Sequence, residues 1–435
     1  MFANTATATF PALSDSDHAT RPDITITHPT VNIPASPSDW KWHFVASTIE
    51  VKVKASRDPF DNAGQCKIGD THDETIVQLA KNGRNLLLGN SSCFVFVLGV
   101  YGHNARIYRF DRSGVIVSKA FSYTSSPHLL GNFIWRLVHP LRSSSGITGS
   151  DTTITRPTKE EAERMLGAVQ RYHPGLEFDV TEFLRDSHWI VASWFPPSEG
   201  HDSSPACGRT RCFAFGRPLS QSTNLFSRAT VVWRVVIEGH EERLLALKDS
   251  WRELCRKPEV FFYERIRKYK GESAWVGLAS FMGNLDLGED QGEELGHRTC
   301  SAALRVSEHS DRHDRSHMRT LTYPVGRKLT TFTRTKQLVV GLRAAIEGLV
   351  LLFVTLKYNT QISVGHRFAF NSGVLHRDIS PGNVLFTDEL MSGGFLHDLD
   401  YSEVVLSPND NADDYSEAQI LRRLKDMTVG DIYEL

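Results

Sequence analysis

One stretch, Val374 to Phe386 (VLHRDISPGNVLF), constrains the fold of this chain more than any other. Two apolar runs, Val374-Leu375 and Val384-Leu385-Phe386, read as short strands, and His376, Arg377, Asp378 and Asn383 stand between them. Pro381-Gly382 is a turn signal, because proline presets φ and glycine lets the backbone reverse. The segment therefore bends back on itself with a carboxylate near one end and an amide five residues further on. Asp378 can take a proton from a hydroxyl. Asn383 can offer its amide oxygen to a cation from the far end of the same loop.

The spacing H-R-D-x-x-x-x-N is that of a protein-kinase catalytic loop. Phosphoryl transfer asks a protein mainly to hold nucleophile, metal and nucleotide in line, since its loose transition state leaves little covalent work. A second carboxylate is then needed on a short strand and loop downstream, and Asp398 in Phe395-Leu-His-Asp-Leu-Asp400 has that place. The usual Asp-Phe-Gly reads Asp398-Leu399-Asp400, so the apolar plug is Leu399, and Asp400 is expected to be a solvated loop residue.

With these residues the chain resembles the fungal-type protein kinase family, in which HRDISPGN is followed by an Asp-hydrophobic-Asp triplet. The likeness runs from about Trp40 onward. It implies an α+β fold: a protein-kinase-like bilobal domain, with an incomplete C-lobe, preceded by a small α/β domain. It also implies an ATP- and Mg2+-dependent enzyme acting on Ser or Thr hydroxyls of a protein substrate, with Asp378 as base and Asn383 and Asp398 as metal ligands. The alternative is a catalytically dead pseudokinase or scaffold fragment.

Upstream, Leu225 to Val235 looks like the first two strands of a kinase N-lobe, with Ser227, Arg228, Ala229 and Thr230 as the phosphate-covering turn. Glycine is usual there because backbone N–H groups must approach phosphate oxygens without a Cβ in the way; Ser227 and Ala229 replace it. Lys248, in the apolar run Leu244-Leu-Ala-Leu-Lys248, matches the strand lysine that faces the α- and β-phosphates. Its expected partner is a glutamate on the next helix. From Glu259 the positions three and four further on are Phe262 and Tyr263, which would face the core with it, whereas from Glu264 they are Arg267 and Lys268. Glu259 is therefore chosen. Leu321 to Leu329 resembles the family's fifth strand and hinge. Lys336 to Leu356 carries apolar residues at helical period. Between that helix and His376, residues 354–370 exceed the family's short connector, an insertion costing only about 1 kcal/mol in loop closure. Ser380 stands where many serine/threonine kinases have lysine.

The rest of the chain divides by composition. Residues 1–39, rich in Ser, Thr, Pro and Asp without periodicity, read as a disordered tail. Residues 40–195 read as an α/β domain, with an extended segment at 41–54, a helical stripe at 73–88 and strands at 93–100, 105–110 and 115–121. Glu50-x-Lys52 on its first strand is the pattern of a restriction-endonuclease-like metal site, though a solvated strand face is the simpler account. Residues 196–212 are a Pro/Gly/Ser-rich linker, 213–330 the N-lobe and 331–435 a partial C-lobe. Residues 284–319 read as a solvated acidic, then His/Arg-rich insertion; His309, His313 and His317 fall at helical spacing there without a completing ligand. Only 35 residues follow Asp400, fewer than an activation segment and the usual closing helices need, so an exposed apolar face is expected. Ser402, Ser407, Tyr415 and Thr428 are candidate phosphoacceptors.

A formal net charge of −2 gives no electrostatic footprint for nucleic acid or membrane. Six cysteines show neither metal-site nor disulfide spacing, and the N-terminus lacks a secretory pattern, so a reducing intracellular compartment is expected.

Overall fold

Two large β-sheets organise the molecule, and a smaller group of strands and helices lies beyond them in sequence. The computed structural model describes residues 2–12, 19–28, 31–34, 36–139, 149–195, 208–270, 277–290, 296–302, 304, 313–346, 369, 372–387 and 393–404. The first sheet holds β1 (Phe2–Asn4), β2 (Ile24–Thr27), β3 (Val45–Lys52), β4 (Phe94–Tyr101), β5 (Asn104–Asp111) and β6 (Val115–Val117) in that order, with β7 (Phe121–Ser122) also paired to β5. β3 and β4 are parallel and are joined through α1 (Asp70–Gly89), as a parallel pair needs a crossover. α1 packs Leu79, Leu86 and Leu87 against Val95, Val97, Tyr108 and Phe110 of the sheet. α2 (Pro127–Val138) follows β7.

The second sheet runs β14-β15-β13-β12-β10-β9-β8, with β11 beside β12. Its strands are β8 (Ile154–Thr155), β9 (His188–Trp194), β10 (Gly208–Ala214), β11 (Ser220–Gln221), β12 (Val231–Ile237), β13 (His240–Glu253), β14 (Ser280–Asp286) and β15 (Arg315–Tyr323). Two helices, α3 (Lys159–Tyr172) and α4 (Val180–Asp186), precede β9. α3 starts in a capping box in which Thr158 and Glu161 satisfy each other's backbone N–H groups. The sheet curls until its two sides meet: Phe195 donates its backbone N–H to the Met282 carbonyl at 2.8 Å. Gly283 permits the approach, since a Cβ there would land on the Ser193 carbonyl oxygen.

α5 (Glu259–Lys270) follows β13, and α6 (Leu287–Asp290) follows β14. The C-terminal group comprises β16 (Arg327–Lys328), α7 (Thr335–Ile346), β17 (Val374–Leu375), β18 (Val384–Phe386), β19 (Gly394–Leu396) and β20 (Glu403–Val404). β16-β18-β19 and β17-β20 form two small sheets. Phe262, Tyr263 and Ile266 of α5 share a core with Val374, Val384, Phe386, Leu396 and Leu399. No helix among the described residues is long and apolar enough to cross a membrane.

Several boundaries read from sequence are corrected. Residues 1–39 are not a tail throughout: β1 and β2 extend the first sheet, and Phe10 is fully buried against Trp40 and Trp42. A few well-spaced apolar residues suffice, because backbone pairing fixes the rest. The 196–212 segment does not separate two units. β9 and β10 pair along their length across it, so residues 154–195 belong to the second sheet. Strand structure in the 225–235 segment begins only at Val231, after a loop. The 284–319 insertion is narrower at both ends, for Asn284 to Asp286 lie in β14 and Arg315 to Arg319 in β15. His317 is thus on a buried strand rather than a helix, while His309 lies outside the described residues. The helix read at 336–356 is α7 as far as Ile346; residues 347–356, the connector at 354–370 apart from Ala369, and Ser407, Tyr415 and Thr428 also lie outside them.

The two large sheets meet through buried polar groups. Asp111 Oδ1 accepts the Ser113 and Gly114 N–H groups at 2.9 and 3.0 Å and the Ser301 hydroxyl. Ser113 donates to the His313 carbonyl at 3.0 Å. Arg319, 1% exposed, reaches Asp249 at 2.7 Å, Asp151 at 2.6 Å, and Thr153 Oγ1 and the Val191 carbonyl at 2.7 Å each. Next to this network lie Cys93, His297 and His317, all buried. Burial and the neighbouring His317 push the His297 imidazole down to about 4. A cavity of about 410 Å³ opens there, lined by residues of both sheets, among them Cys93, Arg112, Asp151, Asp249 and His317.

Candidate active site

Lys248 sits on β13, where successive side chains face opposite sides of the sheet. Its ammonium, almost fully buried, turns toward α5 and the C-terminal strands. Nζ donates to Glu259 at 3.0 Å, to Asp398 at 2.8 Å and to Asp400 at 2.7 Å. Glu259 occupies the first turn of α5, on the face that carries Phe262, Tyr263 and Ile266 into the core, so packing aims its carboxylate at the lysine. Its other oxygen accepts the Leu399 N–H at 2.8 Å. The backbone of the Asp398-Leu399-Asp400 triplet is thereby tied to α5 while Leu399 is buried in the same core.

The catalytic-loop residues lie between β17 and β18. Asn383 donates to the Asp378 carboxylate at 2.8 Å and to its carbonyl at 3.0 Å, which closes the bend that Pro381-Gly382 begins. This use of Nδ2 leaves the amide oxygen as the acceptor. His376, fully buried, stands 3.0 Å from the His397 carbonyl, and the His397 N–H reaches the Asn383 carbonyl at 3.0 Å, so the loop and the Asp398 segment are pinned side by side. Arg377 and Asp398 both hold left-handed backbone, with φ of 65° and 67°. Non-glycine residues adopt this only when their surroundings fix it, and they cluster at functional sites. Arg377 ion-pairs with Glu403 of β20.

Two residues behave otherwise than the sequence suggested. Asp400 is not a solvated loop residue: it is largely buried and binds both Lys248 and Arg228. Arg228, expected to contribute its backbone to a phosphate-covering turn, sends its side chain to Asp400 and to within 3.6 Å of Asp398. Its guanidinium lies 4.8 Å from the Tyr401 ring centroid, where a cation meets an aromatic face. Ala229 holds φ at 44°, the left-handed conformation that glycine would adopt freely. Ser227 Oγ accepts the Ala229 N–H at 3.0 Å and steadies that turn. Neither ion pair is signalled locally, because the partners are separated by more than 150 residues.

Three carboxylates thus share two cations. Burial opposes charge on Lys248, but Asp398, Asp400 and Glu259 outweigh it and hold the ammonium well above the usual lysine range. Burial likewise opposes charge on Asp398, and Lys248 and Arg228 overcome it, so its carboxyl is held well below the usual range. Glu259 is left short of compensation: burial, with Asp400 and Asp398 nearby, raises it to about 7 against the pull of Lys248. The stability linked to this raised value is complete below about pH 4.5 and is lost as pH rises through about 7. Glu259→Gln is expected to flatten the dependence of melting temperature on pH between about 5 and 8; parallel profiles for the two proteins would contradict this assignment.

The donor atoms suit a hard divalent cation. Glu259, Asp398 and Asp400 oxygens lie within 4.8 Å of one another, with no sulfur or imidazole among them, as all-oxygen sets for Mg2+ require, and the Lys248 ammonium engages all three. Glu50 and Lys52, by contrast, are spent on each other at 2.7 Å, with Asn82 and Gln78 beside them. Glu50 is buried rather than solvated, and it joins neither cluster of metal-ligand spacing among the described residues.

The model of the family described as fungal protein kinase matches residues 38–418, and the chain belongs to that family. No curated protein matches the sequence. Among solved structures, the chain is similar to one titled "Structure of vaccinia related kinase 3", at 11% identity and a TM-score of 0.25, over 46% of this chain and 50% of that one. The match therefore spans half the length of that kinase.

Proposed function

We propose that this chain transfers the γ-phosphoryl group of magnesium-bound ATP to Ser or Thr hydroxyls of a protein, in the cleft between two lobes. One lobe is the curled second sheet with α5, the other the C-terminal strands and α7. The observation that carries this reading is the position of Lys248: one ammonium from β13 meets Glu259 and, 150 residues on, Asp398 within 3.0 Å. That arrangement is the ion-pair frame a kinase needs before it can grip phosphates.

Within it, Glu259 orients Lys248, and Lys248 and Arg228 present positive charge to the phosphate oxygens. Asp398, with Asn383, would hold magnesium, which supplies charge neutralisation to the transferring group. Asp378, half-buried and steadied by Asn383, accepts the substrate hydroxyl proton. The family resemblance of the loop supports Ser/Thr as acceptors.

A second reading, a chain that keeps the fold without catalysis, is favoured by Arg228, whose guanidinium already engages Asp398, the carboxylate that would hold the metal, together with Asp400. Nucleotide binding separates the two. ATP with Mg2+ is expected to raise the melting temperature of the wild type, and Asp398→Ala to abolish that shift. Phosphate transfer to a mixed Ser/Thr/Tyr peptide library then identifies the acceptor. Absence of any shift in the wild type would overturn the kinase reading in favour of the second.

A further inference from the structure

We propose that Cys93, His297 and His317 form a zinc site that joins the two large sheets on the face of β13 opposite Lys248. The three come from separate parts of the chain: Cys93 just before β4, His297 from a segment lying along β15, and His317 from β15 itself. Each is at most 4% exposed. Cys93 Sγ lies 3.7 Å from His297 Nδ1, which lies 3.0 Å from His317 Nδ1, and the three donor atoms fall within 4.8 Å of one another. A tetrahedral zinc with Zn–S of ~2.3 Å and Zn–N of ~2.05 Å separates its sulfur and nitrogen ligands by ~3.6 Å and its two nitrogens by ~3.3 Å. The ring centroids, 5.2 Å apart, also match the ~5.2 Å that two imidazoles on one tetrahedral ion would show. Small movements of side chains would therefore complete the site.

The surroundings are those of ligands rather than of a filled core. His317 Nε2 stands 2.7 Å from Asp249, the carboxylate–imidazole pairing that fixes a metal-bound histidine with Nδ1 toward the ion. Trp251 stacks on its ring at 4.5 Å with an interplanar angle of 4°, which further fixes its orientation. His297 Nε2 has Asp151 at 3.9 Å and no hydrogen-bond partner among the described residues. One thiolate and two imidazoles favour zinc over the hard cations of the phosphoryl-transfer cleft.

The protein supplies three ligands, and the fourth position is open to the cavity that Cys93 and His317 line. Arg112 lines the same cavity, and its buried Nε and Nη1 have no partner among the described residues. A guanidinium so placed favours an anion, hydroxide included, as the fourth ligand. Zinc in this position would hold the Asp111–Gly114 turn of the first sheet against the second.

The full chain, expressed with zinc and freed of loosely bound metal, is expected to carry an equimolar amount. Replacing zinc with Co2+ should give an intense near-ultraviolet thiolate-to-cobalt band together with the visible bands of a four-coordinate ion. Cys93→Ser should lose the thiolate band, and His317→Gln or His297→Gln should weaken binding by at least the roughly 10–100-fold that losing an outer partner costs. Circular dichroism checks that each variant is folded, and a variant that does not fold leaves the decision to the wild type. A wild type without stoichiometric metal and without a thiolate band overturns the site. So does metal held with equal affinity by all three folded variants, which marks an adventitious ion only.

Discussion

Lys248→Met is expected to lower phosphoryl transfer by about 10²–10³-fold, the loss typical of removing one preorganised donor from a centre of developing charge. Methionine keeps the length and apolar stem of the lysine, so the change isolates the ammonium. Its removal leaves Glu259, Asp398 and Asp400 with Arg228 as the remaining cation of the cluster. Breaking a buried ion pair from one side costs about 3–5 kcal/mol because the partner is left charged and desolvated. Glu259, already raised to about 7, can escape part of that cost by taking up a proton. The loss of stability should therefore be smaller near pH 5 than near pH 8. Melting curves at both values, beside a phosphoryl-transfer assay, test both halves of the expectation. A variant as active as the wild type and equally stable at pH 8 would sink the assignment of this lysine.

Arg319→Met should have the largest effect on stability outside the cleft. Its guanidinium bridges Asp249 and Asp151 at 2.7 and 2.6 Å, with His317 further from Asp151 at 3.9 Å, and it also meets Thr153 and the Val191 carbonyl. Truncation leaves Asp151 without its closest cation and takes one buried donor each from Thr153 Oγ1 and the Val191 carbonyl. About 3–5 kcal/mol should be lost, equivalent to roughly 10 °C for a unit of this size. Arg319→Lys should recover little, since an ammonium cannot make four short bonds in the plane of a fork. Thermal melts of the two variants check this, and a lysine variant as stable as the wild type would contradict it.

Positions are legible in the sequence where chemistry is compressed into a few consecutive residues. Asp378 and Asn383 lie five residues apart on one bend, and the downstream Asp398 follows on the next strand. Lys248 and Glu259 are legible because each sits in a period that fixes its direction, an apolar strand for one and an amphipathic turn of helix for the other. Asp400 and Arg228 are opaque for the converse reason. Each is polar, flanked by loop residues, and defined by a partner brought near only when the chain folds. The first 39 residues mislead through composition, because Ile24, Ile26 and Phe10 are few among many polar neighbours, yet β2 needs only an adjacent edge to pair with. His317 misleads through coincidence: spacing of four from His313 suggests a helix, whereas alternation with Arg315 and Arg319, all buried, marks a strand face. The Pro/Gly/Ser run at 196–212 falls between β9 and β10, which pair antiparallel as neighbours in one sheet.

Lys248 and Asp249 are a single peptide apart on β13, yet one answers to the acids of the cleft and the other to Arg319 and His317 behind it. A slip of one residue would swap the two faces and strand charges on both sides at once. The strand is in effect keyed from front and back, so that its alignment against β12 and β15 is set by ionic partners as firmly as by the ladder of amides between them.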